Sequence, residues 1–305
     1  MGVREKFSEF RTAYPALISE LNLDTINWNV FTCLFLIVIP FLLYIVQWSI
    51  VTGMIPYPVA INYFVLTFGN PNPATMFLSN YVHSVFDSGH IYQNALSSIV
   101  IFFMMYMFFL VVIPYIRFRI PGFRYRFNPE AFILTLTVTF TFIPFSVSGI
   151  SIYFGKIMGK SAAWGFSGLL YAFLGFLIYH IVFLFITILL QSSSGIIPPQ
   201  KESAMITSSQ DPEEDRNANG YAVQSAFLVF AGVFIPFLVI ALILSELIQP
   251  GTGVFAHLGG FMLGFLISPL IEMMTLSPKK KQKIAFGFFL ALVVVVPAVF
   301  WLAFV

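Results

Sequence analysis

Seven stretches of the chain are almost continuously apolar, near residues 27–51, 89–114, 132–154, 166–190, 222–247, 254–276 and 284–304. Each reaches the roughly 20 residues a helix needs to cross the hydrocarbon core of a bilayer. None has the strict alternation of a barrel strand, and a spanning segment must satisfy its own backbone polar groups, so helices are expected. The pattern predicts an all-α, polytopic membrane helix bundle with seven transmembrane helices. Polar sequence separates the spans. Residues 1–26 form a polar N-terminal segment. Residues 191–221, with Gln191-Ser-Ser-Ser-Gly and an acidic cluster from Asp211 to Asp215, read as a flexible linker. Residues 52–88 are fairly apolar, carry several aromatics and prolines, and are expected to lie partly in the membrane interface. No internal repeat divides the spans into similar halves, which weighs against an inverted-repeat transporter.

Composition agrees with this pattern. Apolar residues make up 59% of the 305 positions and charged residues 9%, with a mean hydropathy of +0.90. Soluble domains carry about 25% charged residues. A soluble fold, a disordered chain, a secreted disulfide scaffold and a nucleic-acid module are excluded as descriptions of the whole. The net charge of +2 gives no reason to expect an anionic partner. Cys33 is the one cysteine, so no intramolecular disulfide can form. The first ~25 residues lack the short apolar stretch and cleavage site of a signal peptide, and none is expected.

The charges fix an orientation. Thirteen Lys and Arg residues fall on connections of one side, among them Arg117, Arg119, Arg124, Arg126 and Lys279, Lys280, Lys281 and Lys283; the other side holds Lys156 and Lys160. The N-terminus is therefore expected in the cytoplasm and the C-terminus outside, with the even-numbered spans running inward.

Polar groups inside spans are expensive and are functional candidates by default. Span 2 opens with His90-Ile-Tyr-Gln-Asn94, whose His90 and Asn94 share one helix face. Span 4 opens with Gly165-Phe-Ser167-Gly168, and behind it Gly168, Ala172 and Gly175 form a seam of small residues. Span 6 opens with Ala256-His257 and continues through Gly260 and Gly264, a G-x-x-x-G pair on the face of His257. Each has a plain structural reading: a polar helix start, a serine cap, a packing motif with a hydrogen-bonded histidine. Their coincidence carries more. Small-residue seams mediate close helix contacts in membranes. Docking the seams of spans 4 and 6 would put the Ser167 hydroxyl and the His257 imidazole at similar depth, each about one turn into its span. A histidine in reach of a serine is the minimum device for activating that nucleophile. His90 and Asn94 enter at comparable depth, and two donors there, with the Ser167 backbone N–H, can form an oxyanion hole.

Gly165-x-Ser167-Gly168 with Tyr171, Ala172 and Gly175, Ala256-His257-x-x-Gly260-x-x-x-Gly264, and the upstream His90-x-x-x-Asn94 together resemble the rhomboid intramembrane serine proteases. The motifs come in that family's order, on spans 2, 4 and 6, and the resemblance covers roughly residues 27–276. It implies a six-helix rhomboid-like core over 27–276, including the loop 191–221, followed by a basic loop and one additional helix over 277–305 (a 6+1 arrangement). It implies Ser167 as nucleophile and His257 as general base, with no carboxylate. It implies His90 and Asn94 as oxyanion stabilisers and Tyr171 as the ring packed on the histidine. Gly165, Gly168, Gly260 and Gly264 would permit the tight contact of spans 4 and 6. Two features depart from the pattern. Residues 52–88 contain neither Trp nor Arg, where many family members carry a Trp-Arg pair, and Val85 stands where a further histidine is common. His83 is expected to be a loop residue. His180, about 20 Å along the helix from Ser167, is expected to make a structural hydrogen bond.

The implied activity is serine endopeptidase cleavage of transmembrane segments, with transmembrane proteins and the lipid bilayer as partners, no nucleic acid, no cofactor and no metal. Two imidazoles without a carboxylate or thiolate make a poor zinc set. The rival readings are a non-proteolytic rhomboid-like protein that binds membrane clients, and a polytopic transporter. Against an ion-coupled transporter, the acidic residues lie in loops, tails or span ends, with Glu246 and Glu272 the closest to membrane depth. The expected location is the plasma membrane of a prokaryote.

Overall fold

The structure is a computed structural model and describes residues 38, 42–82, 88–114, 116, 123, 125, 129–163, 165–193, 253–276 and 278–304. Span 5, most of span 1, the connection beyond residue 193 and His83 lie outside the described residues. The described residues are mostly helical, with one short two-stranded ribbon. Its elements are α1 (Leu42–Val51), α2 (Tyr57–Phe64), β1 (Leu66–Thr67), α3 (Pro73–Leu78) with a 3-10 turn (Ser79–Tyr81), α4 (Ser88–Met107), α5 (Pro129–Thr141), α6 (Ile143–Ile157), β2 (Ala162–Ala163), α7 (Ser167–Ser193), α8 (Val254–Leu276), α9 (Lys279–Leu290) and α10 (Val296–Phe304). Single π-helical turns follow α4 (Phe108–Val112) and link α9 to α10 (Ala291–Val295).

Ser167–Leu190, Val254–Thr275 and Lys279–Val299 are each long and apolar enough to cross a membrane, and α5 with α6 makes a fourth if the bent pair is one span. The protein is a helical membrane protein.

Span 3 was expected as one helix over 132–154. It runs from Pro129 to Ile157 and bends by 43° between Thr141 and Ile143. Pro144 explains the bend, because proline has no N–H to give to the carbonyl four residues earlier and its ring crowds that carbonyl. The carbonyl left over is that of Phe140, and the Tyr81 hydroxyl donates to it. Burial raises the Tyr81 phenol above its usual range, so it stays protonated and able to donate. The sign follows: the folded state holds this proton more tightly than the unfolded chain, so stability falls as pH climbs past roughly 10. Tyr81→Phe orphans the Phe140 carbonyl and is expected to cost about 1–3 kcal/mol, read as a lower thermal midpoint in detergent.

Two further boundaries differ from expectation. The lysines 279–283 are not a loop: Pro278 precedes the first turn of α9 and the helix starts at Lys279. α7 continues to Ser193, into the segment expected to be linker.

The described residues form two compact units. The smaller takes in residues from 105 to 125 and from 180 to 193. There the Tyr125 hydroxyl and His180 Nδ1 lie 2.6 Å apart, and Phe109 meets the His180 ring edge-on. His180 thus makes a hydrogen bond of the kind expected.

The larger unit takes in residues 38–104, 129–179 and 253–304. Its central feature is the seam between α7 and α8. A side chain on Gly260 would strike the carbonyl of Gly168, one on Gly264 the carbonyl of Ala172, and one on Gly175 the carbonyl of Phe261. Backbone meets backbone at three successive levels, the approach that small residues permit. Residues 57–81, between α1 and α4, also belong to this unit. β1 pairs antiparallel with β2, Leu66 opposite Ala163 and Thr67 opposite Ala162. Asn72 and Thr75 form a reciprocal capping box at the start of α3. Asn80 Nδ2 lies within hydrogen-bond distance of the carbonyls of Met76 and Pro144 and of Ser148 Oγ, which fastens the 3-10 turn to α6. Leu66, Phe68, Met76 and Ile152 form an apolar cluster, and the Phe68 ring rests on Gly155.

Candidate active site

Ser167 is delivered by a short turn held from outside. β2 leads into it. Gly165 has φ +138°, a conformation that side chains resist, and its N–H donates to the Ser79 carbonyl at 2.9 Å. Phe166 is buried, its ring stacked on Phe140 and tilted against Tyr81. The next residue, Ser167, is the first of α7. It stands at the mouth of the helix, not one turn inside it as expected. Gly165 therefore serves the backbone reversal before α7. The glycines of the helix contact are Gly168, Gly175, Gly260 and Gly264.

His257 lies three residues into α8, its N–H bonded to the Gly253 carbonyl at 2.9 Å. The contact of Gly260 with Gly168 brings this turn against the start of α7. His257 Nε2 and Ser167 Oγ are 2.6 Å apart. With the ring proton on Nδ1, the serine hydroxyl donates to Nε2. Tyr171, one turn beyond Ser167, stacks on the imidazole with centroids 4.4 Å apart and planes 2° from parallel. The ring is clamped between α7 and α8, and His257 is 5% exposed. A hydroxyl in contact with a fixed imidazole is the arrangement by which a histidine can activate a serine.

Asn94 is buried on α4, and its carbonyl accepts from the Ser98 hydroxyl at 2.7 Å. His90 lies one turn earlier on α4, with its side chain outside the described residues. Ser167, His257 and Tyr171 thus stand together, while the geometry that would join His90 and Asn94 to them is not among the described contacts. Among the described residues, no three His, Cys, Asp or Glu side chains converge where a metal ion could sit.

Three supporting groups escaped the sequence reading: Ser79, Asn80 and Tyr81. Ser79-Asn80-Tyr81 is one of several polar stretches in the connection 52–88, so nothing local in the sequence singles it out. Glu272 was placed only at a span end. On α8 it accepts a hydrogen bond from the Tyr179 hydroxyl at 3.0 Å, a further tie across the α7–α8 contact.

No family model matches the chain, and no curated protein or solved structure matches it either.

Proposed function

We propose that the protein is a serine endopeptidase of the rhomboid type, cleaving transmembrane segments of other membrane proteins with a Ser167–His257 dyad. The observation that carries this reading is the 2.6 Å contact of Ser167 Oγ with His257 Nε2, on two helices long and apolar enough to cross a membrane. Three motifs in the order of that family support it.

Ser167 attacks a peptide carbonyl while His257 takes its proton. The tetrahedral oxyanion forms against the Ser167 backbone N–H, with His90 and Asn94 as side-chain donors. His257 then protonates the leaving amine, and water, entering from the outer face, hydrolyses the acyl-enzyme. The substrate helix unwinds locally, because a helix hides its carbonyls in hydrogen bonds. Small or helix-breaking residues at the scissile bond lower that cost. In this reading the bundle is a six-helix core plus one C-terminal helix, with the N-terminus in the cytoplasm and the site near the outer face.

A fluorophosphonate probe, which bonds covalently to activated serines, tests it on detergent-solubilised protein. Wild type should label and Ser167→Ala should not. Folded wild type that stays unlabelled, or Ser167→Ala that labels equally, overturns the reading and turns attention to client binding or transport.

A further inference from the structure

We infer that Trp301, on the last helix of the chain, is a positioning residue for Ser167 and acts through the outer segment 66–71. The inference rests on Ser167 being the nucleophile. α10 runs along α6, and from it Trp301 Nε1–H donates to the Pro71 carbonyl at 3.4 Å. The same indole packs on the cluster of Leu66, Phe68, Met76 and Ile152, beside Ala163 of β2.

That cluster is the outer wall of the turn that delivers Ser167. Leu66 and Thr67 pair with Ala163 and Ala162, and the Phe68 N–H donates to the Ser161 carbonyl at 2.9 Å. Gly165 hangs from Ser79. The chain entering α7 is thus tied to the outer segment at two points. The Ser79 end is fastened to α6 by Asn80 and to α5 by Tyr81. The 66–71 end has a ribbon of only two residue pairs, a form marginal without apolar backing, and Trp301 supplies part of that backing from outside. Its removal frees β1 and β2 together, and the play reaches Ser167 four residues after Ala163. The dyad tolerates little of it, since reacting groups displaced by about 1 Å lose up to about 100-fold in rate.

The test uses the full chain in detergent and two readouts. The first is the rate constant of fluorophosphonate labelling per folded molecule, separated from the amount labelled at saturation. The second is hydrogen exchange at the Phe68 amide, compared with Leu263 in α8. Trp301→Ala should label to the same final extent but about 10-fold more slowly, with faster exchange at Phe68 and none at Leu263. Trp301→Phe, which keeps the ring packing, should restore the rate to within about twofold. If Trp301→Ala does not fold, Trp301→Leu carries the same readouts. Unchanged labelling kinetics overturn the inference, whether or not Phe68 exchanges faster, because Trp301 is then only a packing residue. Wild type that fails to label sinks the dyad reading and this inference with it. Normal wild-type labelling beside unaltered variant kinetics sinks this inference alone.

Discussion

His257→Ala should slow both fluorophosphonate labelling and peptide cleavage by about 1000-fold or more, the scale on which removing one member of a serine–base pair acts. A serine hydroxyl holds its proton far above neutral pH and attacks a carbonyl poorly until a base takes that proton as the bond forms. His257 Nε2 sits 2.6 Å from Oγ, and the ring cannot swing away, because Tyr171 lies flat on it and the α7–α8 contact closes around it. Alanine leaves the hydroxyl in place with no acceptor and a void where the imidazole was. Some stability goes too, so the rate is to be taken per folded molecule, with unfolded protein removed by size-exclusion chromatography. A loss smaller than 10-fold on folded protein would mean that Nε2 is not the base.

The parts of this arrangement legible in the sequence are those written in spacing. Gly168, Ala172, Gly260 and Gly264 recur at helical intervals, and a seam of small residues on two apolar helices has few uses besides letting them touch. Pairing the seams puts Ser167 and His257 at one level, where their side chains meet. The segment 66–81 was not legible in the same way. Its ribbon is two residues long on each strand, below what any periodicity can signal. Its anchors are single polar residues, Asn80 and Tyr81, whose partners lie more than fifty residues away on α5 and α6. The bend at Phe142 was present as Pro144, but an apolar run long enough to span hides a break that tertiary contacts repair: the Tyr81 hydroxyl takes the carbonyl that proline abandons. Gly165 shows the limit of motif reasoning. Its neighbours in the motif serve the helix contact, and only the backbone angle of +138° separates its role from theirs. Glu272 was read by position as a span-end charge, and nothing local in the sequence indicates that Tyr179, ninety-three positions away, donates to it.

The seam also yields the second large effect, and glycine-by-glycine contrast makes it testable. Gly264→Ala adds one methyl group, directed at the carbonyl of Ala172. The obstacle is backbone inside a helix, with no side chain to rotate aside, so the two helices must separate. Overpacking of this kind costs about 1–3 kcal/mol, occasionally more. The close approach that recovers dispersion contacts at Gly168 and Gly175 is lost with it. Gly259→Ala is one residue removed from the seam, and its methyl meets the tip of the Ile150 side chain, which can turn. Gly287→Ala on α9 meets open space. Thermal midpoints in detergent should therefore fall most for Gly264→Ala and less for Gly259→Ala. Gly287→Ala should leave stability within about 1 kcal/mol of wild type. Separation of α7 from α8 also stretches the Ser167–His257 contact two turns up the seam, so folded Gly264→Ala should label more slowly than its stability loss alone explains. Equal midpoints for Gly264→Ala and Gly287→Ala would show that the backbones do not touch at this level, and would remove the device that holds serine and histidine together.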